Sequence, residues 1–216
     1  CQDVRISDCT IDVGDDCIAI KSGTEKTPSR QPCERIIITN CHFLHGHGGV
    51  VLGSEMSGGV RNVVVSSCIF SGTDRGIRLK TRRGRGGKVE GIQLTNLVME
   101  NVVCPFVFNM YYGGRVALPE EKYYWDKASL PVDDRTPMLR DVSITGVRAR
   151  GVTGSAGFFY GLPEMPVEDV TISDVIVEMG DGYVEESGMM AEPPTLVKAG
   201  FYLRNARNVE LKNVRV

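Results

Sequence analysis

The sequence predicts an all-β chain folded as a parallel β-helix of about seven coils, with residues 1–216 forming a single domain. Three observations support this prediction: a six-residue motif recurs seven times, a second apolar pair follows it at a fixed distance, and the copies are unevenly spaced. A repeat of this kind cannot bury its apolar side alone, so it stacks on its neighbours as a solenoid.

The recurring motif has apolar residues at its first, third and sixth positions, usually Ser or Thr at the fourth, and a turn-forming residue at the fifth. Alternation with period two predicts a strand that buries one face, and Asp, Asn, Ser or Gly at the fifth position favours a bend. Each copy is therefore expected to be a short strand that ends at a corner. The copies are Val4 to Cys9, Ile36 to Cys41, Val63 to Cys68, Ile92 to Leu97, Val142 to Val147, Val170 to Val175 and Val209 to Val214.

A second pair of apolar residues lies 14 and 16 positions after the start of a copy and predicts a second strand. The spacing between copies is too irregular for helical repeats but suits strands joined by unequal loops. A β-sandwich also has short strands, but it does not require one residue class at one offset in every repeat. The pairs are Ile18 and Ile20, Val50 and Leu52, Ile77 and Leu79, and Phe106 and Phe108.

The composition excludes a disordered protein, because 42% of the residues are hydrophobic and can supply a core. Charged residues make up 24% and the formal net charge is −2, so global charge predicts neither a nucleic-acid partner nor a membrane surface. Of the seven cysteines, Cys9, Cys41 and Cys68 occupy one offset on three copies. We expect an internal ladder with about 4.8 Å per rung, and neither a disulfide framework nor a metal site.

The fixed register gathers polar residues. Asp15, His47 and Asp74 lie eleven positions after the start of three successive copies, and Asp16 and Arg75 each follow at the next position. Arg75 is a candidate substrate contact. Stacked coils place such residues side by side.

The next strand adds two cations, Arg78 and Lys80, which alternation points outward to solvent. We expect them to share a patch about 10 Å across with Asp15, Asp16 and His47. Adjacent carboxyl groups repel as anions, so one holds its proton to a higher pH, as an acid and a base require. Taken singly, these residues are also typical of a solvated turn, a structural histidine and a protected strand edge.

Three short motifs carry a resemblance: Gly14-Asp15-Asp16, Gly46-His47-Gly48 and Arg78-Leu79-Lys80 are similar to three of the four signature motifs of the polygalacturonase family of glycoside hydrolases, family 28. The segment from Gly72 to Gly87 is similar to bacterial exo-acting members. The resemblance implies a right-handed, pectin-lyase-like solenoid that hydrolyses α-1,4-linked galacturonic acid of pectin or polygalacturonate with inversion, without metal or cofactor. It also implies a secreted or periplasmic location.

The same resemblance implies the roles of the site residues. Asp15 is expected to protonate the leaving oxygen, Asp16 to activate water and His47 to orient or tune the acid, while Arg78 and Lys80 hold the sugar carboxylate. Inverting enzymes leave room for water between carboxyl groups about 6.5–9.5 Å apart.

The family's fourth motif, Asn-Thr-Asp, belongs to the coil before Asp15 and is not found in the sequence. We therefore expect a domain without its N-terminal coil or coils and cap, impaired in hydrolysis and able to self-associate through the uncapped first coil.

Two further segments are candidates for substrate contact. Arg82 and Arg83 lie in a basic stretch expected to grip additional carboxylates, although a solvated loop is the alternative, and aromatics interleaved for nucleic acid are absent. An aromatic-rich insert loop, 110–137, contains Tyr111 and Tyr112 and either walls one end of a cleft, favouring exo action, or packs as a hydrophobic lid.

Two other functions stay open from the sequence alone. One is a non-catalytic carbohydrate-binding β-helix. The other is a pectate-lyase-like enzyme, which requires clustered acidic calcium ligands and an arginine base.

Overall fold

The structure is a computed structural model that describes residues 1–113, 120–190 and 192–216. Within these ranges no helix is long and apolar enough to cross a membrane. In chain order the elements are β1 (Gln2–Ser7), β2 (Thr10–Asp12), β3 (Ile18–Ile20), β4 (Cys33–Thr39), β5 (His42–Leu44), β6 (Val50–Gly53), β7 (Val60–Ser66), β8 (Ile69–Ser71), β9 (Arg75–Lys80), β10 (Lys88–Glu100), β11 (Cys104–Asn109), α1 (Glu121–Trp125), β12 (Met138–Val152), β13 (Ser155–Tyr160), β14 (Val167–Met179), β15 (Ala199–Arg204) and β16 (Ala206–Arg215).

Two sheets run along the molecule. Sheet A has the order β1-β4-β7-β10-β12-β14-β16, with the short strands β2, β5 and β8 attached to it, and sheet B has the order β3-β6-β9-β11-β13-β15. Equivalent strands of successive coils pair in parallel in both sheets. The predicted β-helix of seven coils is confirmed, with the seventh contributing β16 to sheet A.

The predicted register of the second strand is also confirmed. Ile18 lies opposite Val50, Val50 opposite Ile77, and Ile77 opposite Phe106. The inward-facing residues of these strands are buried, Ile77 and Phe106 completely so, and they form the core between the two sheets. Residues between them in sequence face outward, so the outer surface of sheet B is set by the same register.

The bend at the fifth position of the motif comes from left-handed backbone conformation. All seven residues there have φ between 50° and 67°, a region that Asn, Asp and Gly adopt more readily than other residues. A second left-handed residue precedes each copy, and the residue types there do not predict it because Arg35 occupies this position in the second coil. The fifth-position residues are Asp8, Asn40, Ser67, Asn96, Gly146, Asp174 and Asn213.

The cysteines at the sixth position lie where the repeat predicted. Cys41 and Cys68 are buried, Cys9 is half-buried, and backbone hydrogen bonds link the three coils at this level, from His42 N to the Cys9 oxygen and from Ile69 N to the Cys41 oxygen. Burial raises the pKa of Cys68 to about 11, so its thiol stays protonated and packs as a small apolar group.

One outward line on sheet A carries a ladder of charges whose sign alternates from coil to coil. Its members form three ion pairs, Glu34–Arg61, Glu90–Arg140 and Glu168–Arg207. Strand register brings the pairs into one continuous line, since Arg61 lies opposite Glu90 and Arg140 opposite Glu168. We call this line the charge ladder.

Candidate active site

The candidate site lies on the outer face of sheet B across the first three coils. Ala19, Val51 and Arg78 share one outward position, on β3, β6 and β9. Gly53 lies opposite Lys80 two residues further on. The outward residues on the first two coils are therefore smaller than the cations of the third.

Asp15 and Asp16 occupy the turn between β2 and β3, where their environments differ. The Asp16 amide donates to Oδ1 of Asp15 at 2.8 Å, and the Asp15 side chain is exposed. The Asp16 carboxylate is nearly buried, and its Oδ2 accepts a hydrogen bond from Nζ of Lys80 at 2.7 Å. One carboxyl is thus open to solvent while its neighbour is held by a buried cation.

Arg78 and Lys80 differ from the expectation of solvent exposure, because they are only 1% and 6% exposed. The ring of Tyr112 covers both: its centroid lies 5.1 Å from Cζ of Arg78 and 4.9 Å from Nζ of Lys80. Burial lowers the pKa of each cation. Tyr112, a predicted substrate contact, therefore lies at the predicted site.

The site contains buried hydrogen-bonding atoms that the described residues do not satisfy. They are Nε and Nη2 of Arg78 and Oδ1 of Asp16, which lies 3.9 Å from Nη1 of Arg78. Buried polar atoms normally have partners, and unsatisfied ones are costly. Two free donors of one guanidinium are suited to the two oxygens of a carboxylate.

His47 forms a side-chain pair that was not assigned from the sequence. Its Nδ1 lies 2.8 Å from Oδ2 of Asp74, and its backbone amide donates to the Asp15 carbonyl at 3.1 Å. A proton on Nδ1, shared with Asp74, leaves Nε2 as a free acceptor. Asp74 has the same offset in the repeat as His47, so register alone signalled their contact.

Arg75, another predicted substrate contact, lies beside the site but points its guanidinium into the protein. Nε and Nη2 donate to the backbone oxygens of Ser187 and Glu186, each at 3.0 Å, and the side chain is buried. It anchors the long loop 180–198 between β14 and β15. The repeat does not predict that this loop returns over sheet B.

Tyr111, Arg82 and Arg83, also predicted substrate contacts, are turned into the protein. Tyr111 is completely buried, and burial raises its pKa to about 12. Arg83 is 1% exposed and binds both carboxylate oxygens of Glu164, at 2.6 and 2.9 Å. Arg82 lies over the Tyr124 ring, 4.0 Å from its centroid. Residues 124–127 of the insert cover these side chains, because Tyr124 contacts Arg82, Asp126 contacts Arg83 and Lys127 contacts Tyr111.

The insert packs as a lid in the parts the structure describes. Tyr124 of α1 is buried, Trp125 packs against the core, and Arg83 donates to the Asp126 carbonyl at 2.5 Å. Residues 114–119 of the predicted insert lie outside the described residues. The lid interpretation therefore fits α1, while Tyr112 at the other end of the insert lines the site.

Comparison with known proteins agrees with the motifs. The family model for glycosyl hydrolases family 28 matches residues 1–193. A probable polygalacturonase of Vitis vinifera is 30% identical over 83% of this chain and 35% of its own length. An exo-poly-alpha-D-galacturonosidase of Dickeya chrysanthemi is 27% identical over 81% of this chain and 31% of its own length.

Solved structures agree with the right-handed parallel β-helix. A hyperthermoactive exopolygalacturonase from Thermotoga maritima has a TM-score of 0.73 at 28% identity, over 98% of this chain and 42% of its own. A polygalacturonase from Erwinia carotovora ssp. carotovora, at 24% identity and a TM-score of 0.67 over 97% of this chain and 44% of its own, shares the fold. The chain spans about a third of the length of the curated relatives, 35% and 31%. With its motifs, its fold and a family match over nine-tenths of its residues in agreement, the chain belongs to glycosyl hydrolases family 28.

Proposed function

We propose that the chain forms the catalytic region of a hydrolase that cleaves α-1,4-galacturonosyl linkages of polygalacturonate or pectin with inversion. The observation that carries this proposal is the buried Arg78 guanidinium with two free donors, close to the unequal carboxyl pair Asp15 and Asp16. A carboxylate on the sugar satisfies those donors and brings its glycosidic oxygen beside the pair.

Recognition of the uronate rests on Arg78 and Lys80. A planar guanidinium binds a carboxylate through two parallel hydrogen bonds, and an ammonium acts as a compact point charge. Two cations buried side by side under Tyr112 repel each other, and one carboxylate, Asp16, offsets only part of that charge. A second carboxylate from the substrate completes the neutralisation, which favours uronic acids over neutral sugars.

In the proposed chemistry Asp15 donates a proton to the leaving oxygen, because it is the exposed member of the pair. Asp16, fixed by Lys80, orients and activates the attacking water. His47 is held by Asp74 and adjusts the proton on Asp15. A third carboxylate from the family's Asn-Thr-Asp motif completes this set, so the 216 residues alone are expected to turn over slowly.

We also propose that the hydrolase is exo-acting, and two loops beyond the third coil support this. Arg75 holds loop 180–198 across sheet B, and Tyr112 forms a bridge with Met190 of that loop. The outward side chains behind them, Val107 and Phe158, are completely buried. A cleft that ends at this wall accepts a chain end more readily than a chain interior.

The test is incubation of polygalacturonate with the 216-residue chain and with a form extended before Cys1, with and without a chelator. New reducing ends without ultraviolet absorbance support hydrolysis, and anomer analysis by NMR reports inversion. Absorbance that requires calcium identifies a lyase, and binding without either signal in both forms identifies a carbohydrate-binding module. Light scattering of the two forms tests self-association through the first coil. If this association occurs, the 216-residue chain forms a dimer and the extended form does not.

A further inference from the structure

A lysine outside the three sequence motifs lies on the same face as the site. Lys21 directly follows β3 and faces outward, because Ile18 and Ile20 face the core. Ile20 lies opposite Leu52, so Lys21 lies beside Gly53, which in turn lies opposite Lys80. The two lysines thus share one register position, two rungs or roughly 10 Å apart.

The register position between the two lysines is occupied by a glycine. Gly53 has φ of 100°, and a Cβ there would lie 2.1 Å from the Lys80 carbonyl oxygen, so only glycine fits between the lysines. The positive charge of Lys21 contributes to the lowered pKa of Lys80, after burial and the charge of Arg78. The charges of the two lysines therefore influence each other.

Lys21 is held in place without being covered. Its Nζ lies 2.9 Å from Oε2 of Glu55, and its side chain remains 48% exposed. Glu55 is in turn 3.9 Å from Arg85, so this carboxylate is shared between two cations. A half-exposed ion pair contributes little to folding stability, so Lys21 can exchange Glu55 for another carboxylate at little cost.

The region carries more positive than negative charge, in contrast to the chain as a whole, whose net charge is −2. Asp15 and the Arg75–Asp74 pair lower the surplus here to one positive charge, although five cations and three carboxylates make up the two ion-pair networks. The groups in these networks are Lys21, Arg78, Lys80, Arg82, Arg85, Asp16, Glu25 and Glu55. A ligand carboxylate fits this surplus.

We propose that Lys21 binds a second carboxylate of the galacturonate chain, on a sugar other than the one held by Arg78 and Lys80. The inference rests on the proposed function and adds one residue to it: Lys21 determines affinity for a neighbouring acidic sugar. Glu55 positions Lys21 in the free protein. When substrate binds, its carboxylate replaces Glu55 as the ion-pair partner of Lys21.

The test is calorimetric titration of α-1,4-linked trigalacturonate into wild type, Lys21→Met, Glu55→Gln and Lys212→Met. Lys212 is a matched control, because it lies on sheet A of the last coil and pairs with Glu210 at 3.0 Å with similar exposure. We expect binding to weaken about three- to tenfold in Lys21→Met. Glu55→Gln is expected to bind as tightly as wild type or more tightly, and Lys212→Met to be unchanged.

Two further readouts separate substrate contact from a structural role. The loss in Lys21→Met should be absent for monomeric galacturonate, which carries one carboxylate, and melting temperatures should match those of wild type. Equal affinity of Lys21→Met and wild type for trigalacturonate overturns this inference alone, as does an equal loss in Glu55→Gln. If wild type neither binds trigalacturonate nor cleaves polygalacturonate in its extended form, the proposed function fails as well.

Discussion

The Nζ atom of Lys80 lies 2.7 Å from Oδ2 of Asp16, although the two residues are 64 positions apart in the sequence. The contact spans two coils and joins the turn before β3 to the end of β9. It places a charge pair under Tyr112, where burial makes each partner dependent on the other. Lys80 therefore has two roles: it holds the Asp16 carboxylate in place and contributes to binding an anionic substrate.

Replacing Lys80 with methionine should lower kcat/KM on polygalacturonate by about a hundredfold or more, because it leaves the Asp16 carboxylate buried without its partner. Steady-state kinetics of the extended form measure this. Lys26→Met, in the exposed turn after β3, should be unchanged. A Lys80→Met enzyme within threefold of wild type contradicts the assignment.

Asp74 should position His47. Asp74→Asn removes the carboxylate that favours a proton on Nδ1, and we expect kcat to fall at least about tenfold with little change in KM and an altered pH profile. The chain offers a matched control in Asp12→Asn, because Asp12 contacts His45 Nδ1 at the same 2.8 Å distance. Equal effects of the two substitutions would mean that Asp74 has no special role.

The ring of Tyr112 should matter more than its hydroxyl. Tyr112→Ala uncovers Arg78 and Lys80 and is expected to weaken trigalacturonate binding about tenfold, whereas Tyr112→Phe keeps the ring over both cations and stays near wild type. Calorimetry compares them, with Tyr183→Ala, at an exposed position, as control. A loss in Tyr112→Phe as large as that in Tyr112→Ala assigns the effect to the hydroxyl instead.

The Arg83–Glu164 pair should stabilise the fold. Its side chains are 1% and 4% exposed, so Arg83→Met leaves a buried carboxylate unpaired and is expected to cost about 3–5 kcal/mol in the free energy of unfolding. The exposed pair Arg150–Glu178 provides the comparison, where Arg150→Met should cost less than about 1 kcal/mol. Urea denaturation measures both, and similar losses would rule out a special contribution from the buried pair.

Lys127 should make stability rise with pH. Burial lowers its pKa to about 8, and its Nζ lies 3.7 Å from the centroid of the Tyr111 ring. Between pH 8 and about 10 the unfolded chain keeps this lysine protonated while the folded chain has lost the proton, so the free energy of unfolding increases. Lys127→Met should flatten that increase and Lys122→Met should not; identical slopes in all three proteins refute the prediction.

The repeat predicted much of the fold because a solenoid imposes one geometry on every coil. Pairing of Ile77 with Phe106 and the left-handed bend at Asn40 both follow from an offset in the motif. The juxtaposition of Asp16 with Lys80 follows from the same register. Contacts between neighbouring coils are local in space even when they are distant in sequence.

The course of the loops could not be predicted, since nothing in the repeat constrains a segment that leaves the coil. Loop 180–198 returns over sheet B until Ser187 meets Arg75, a separation of 112 residues. Asp126 and Lys127 of the insert contact Arg83 and Tyr111, and these two residues, expected at the substrate, are buried instead. A side chain that the register predicts to face solvent is buried wherever such a loop covers it, as at Arg78.

The charge ladder restricts how this solenoid can change in length. The backbone geometry repeats in every coil, but the charge at the ladder position repeats only in every second coil. The alternation runs from Glu34 and Arg61 to Glu168 and Arg207. Deleting or duplicating one coil brings two arginines or two glutamates into contact, where like charges repel. Removing or adding two coils together restores the alternation, so evolutionary growth and shortening along this face are favoured in even numbers.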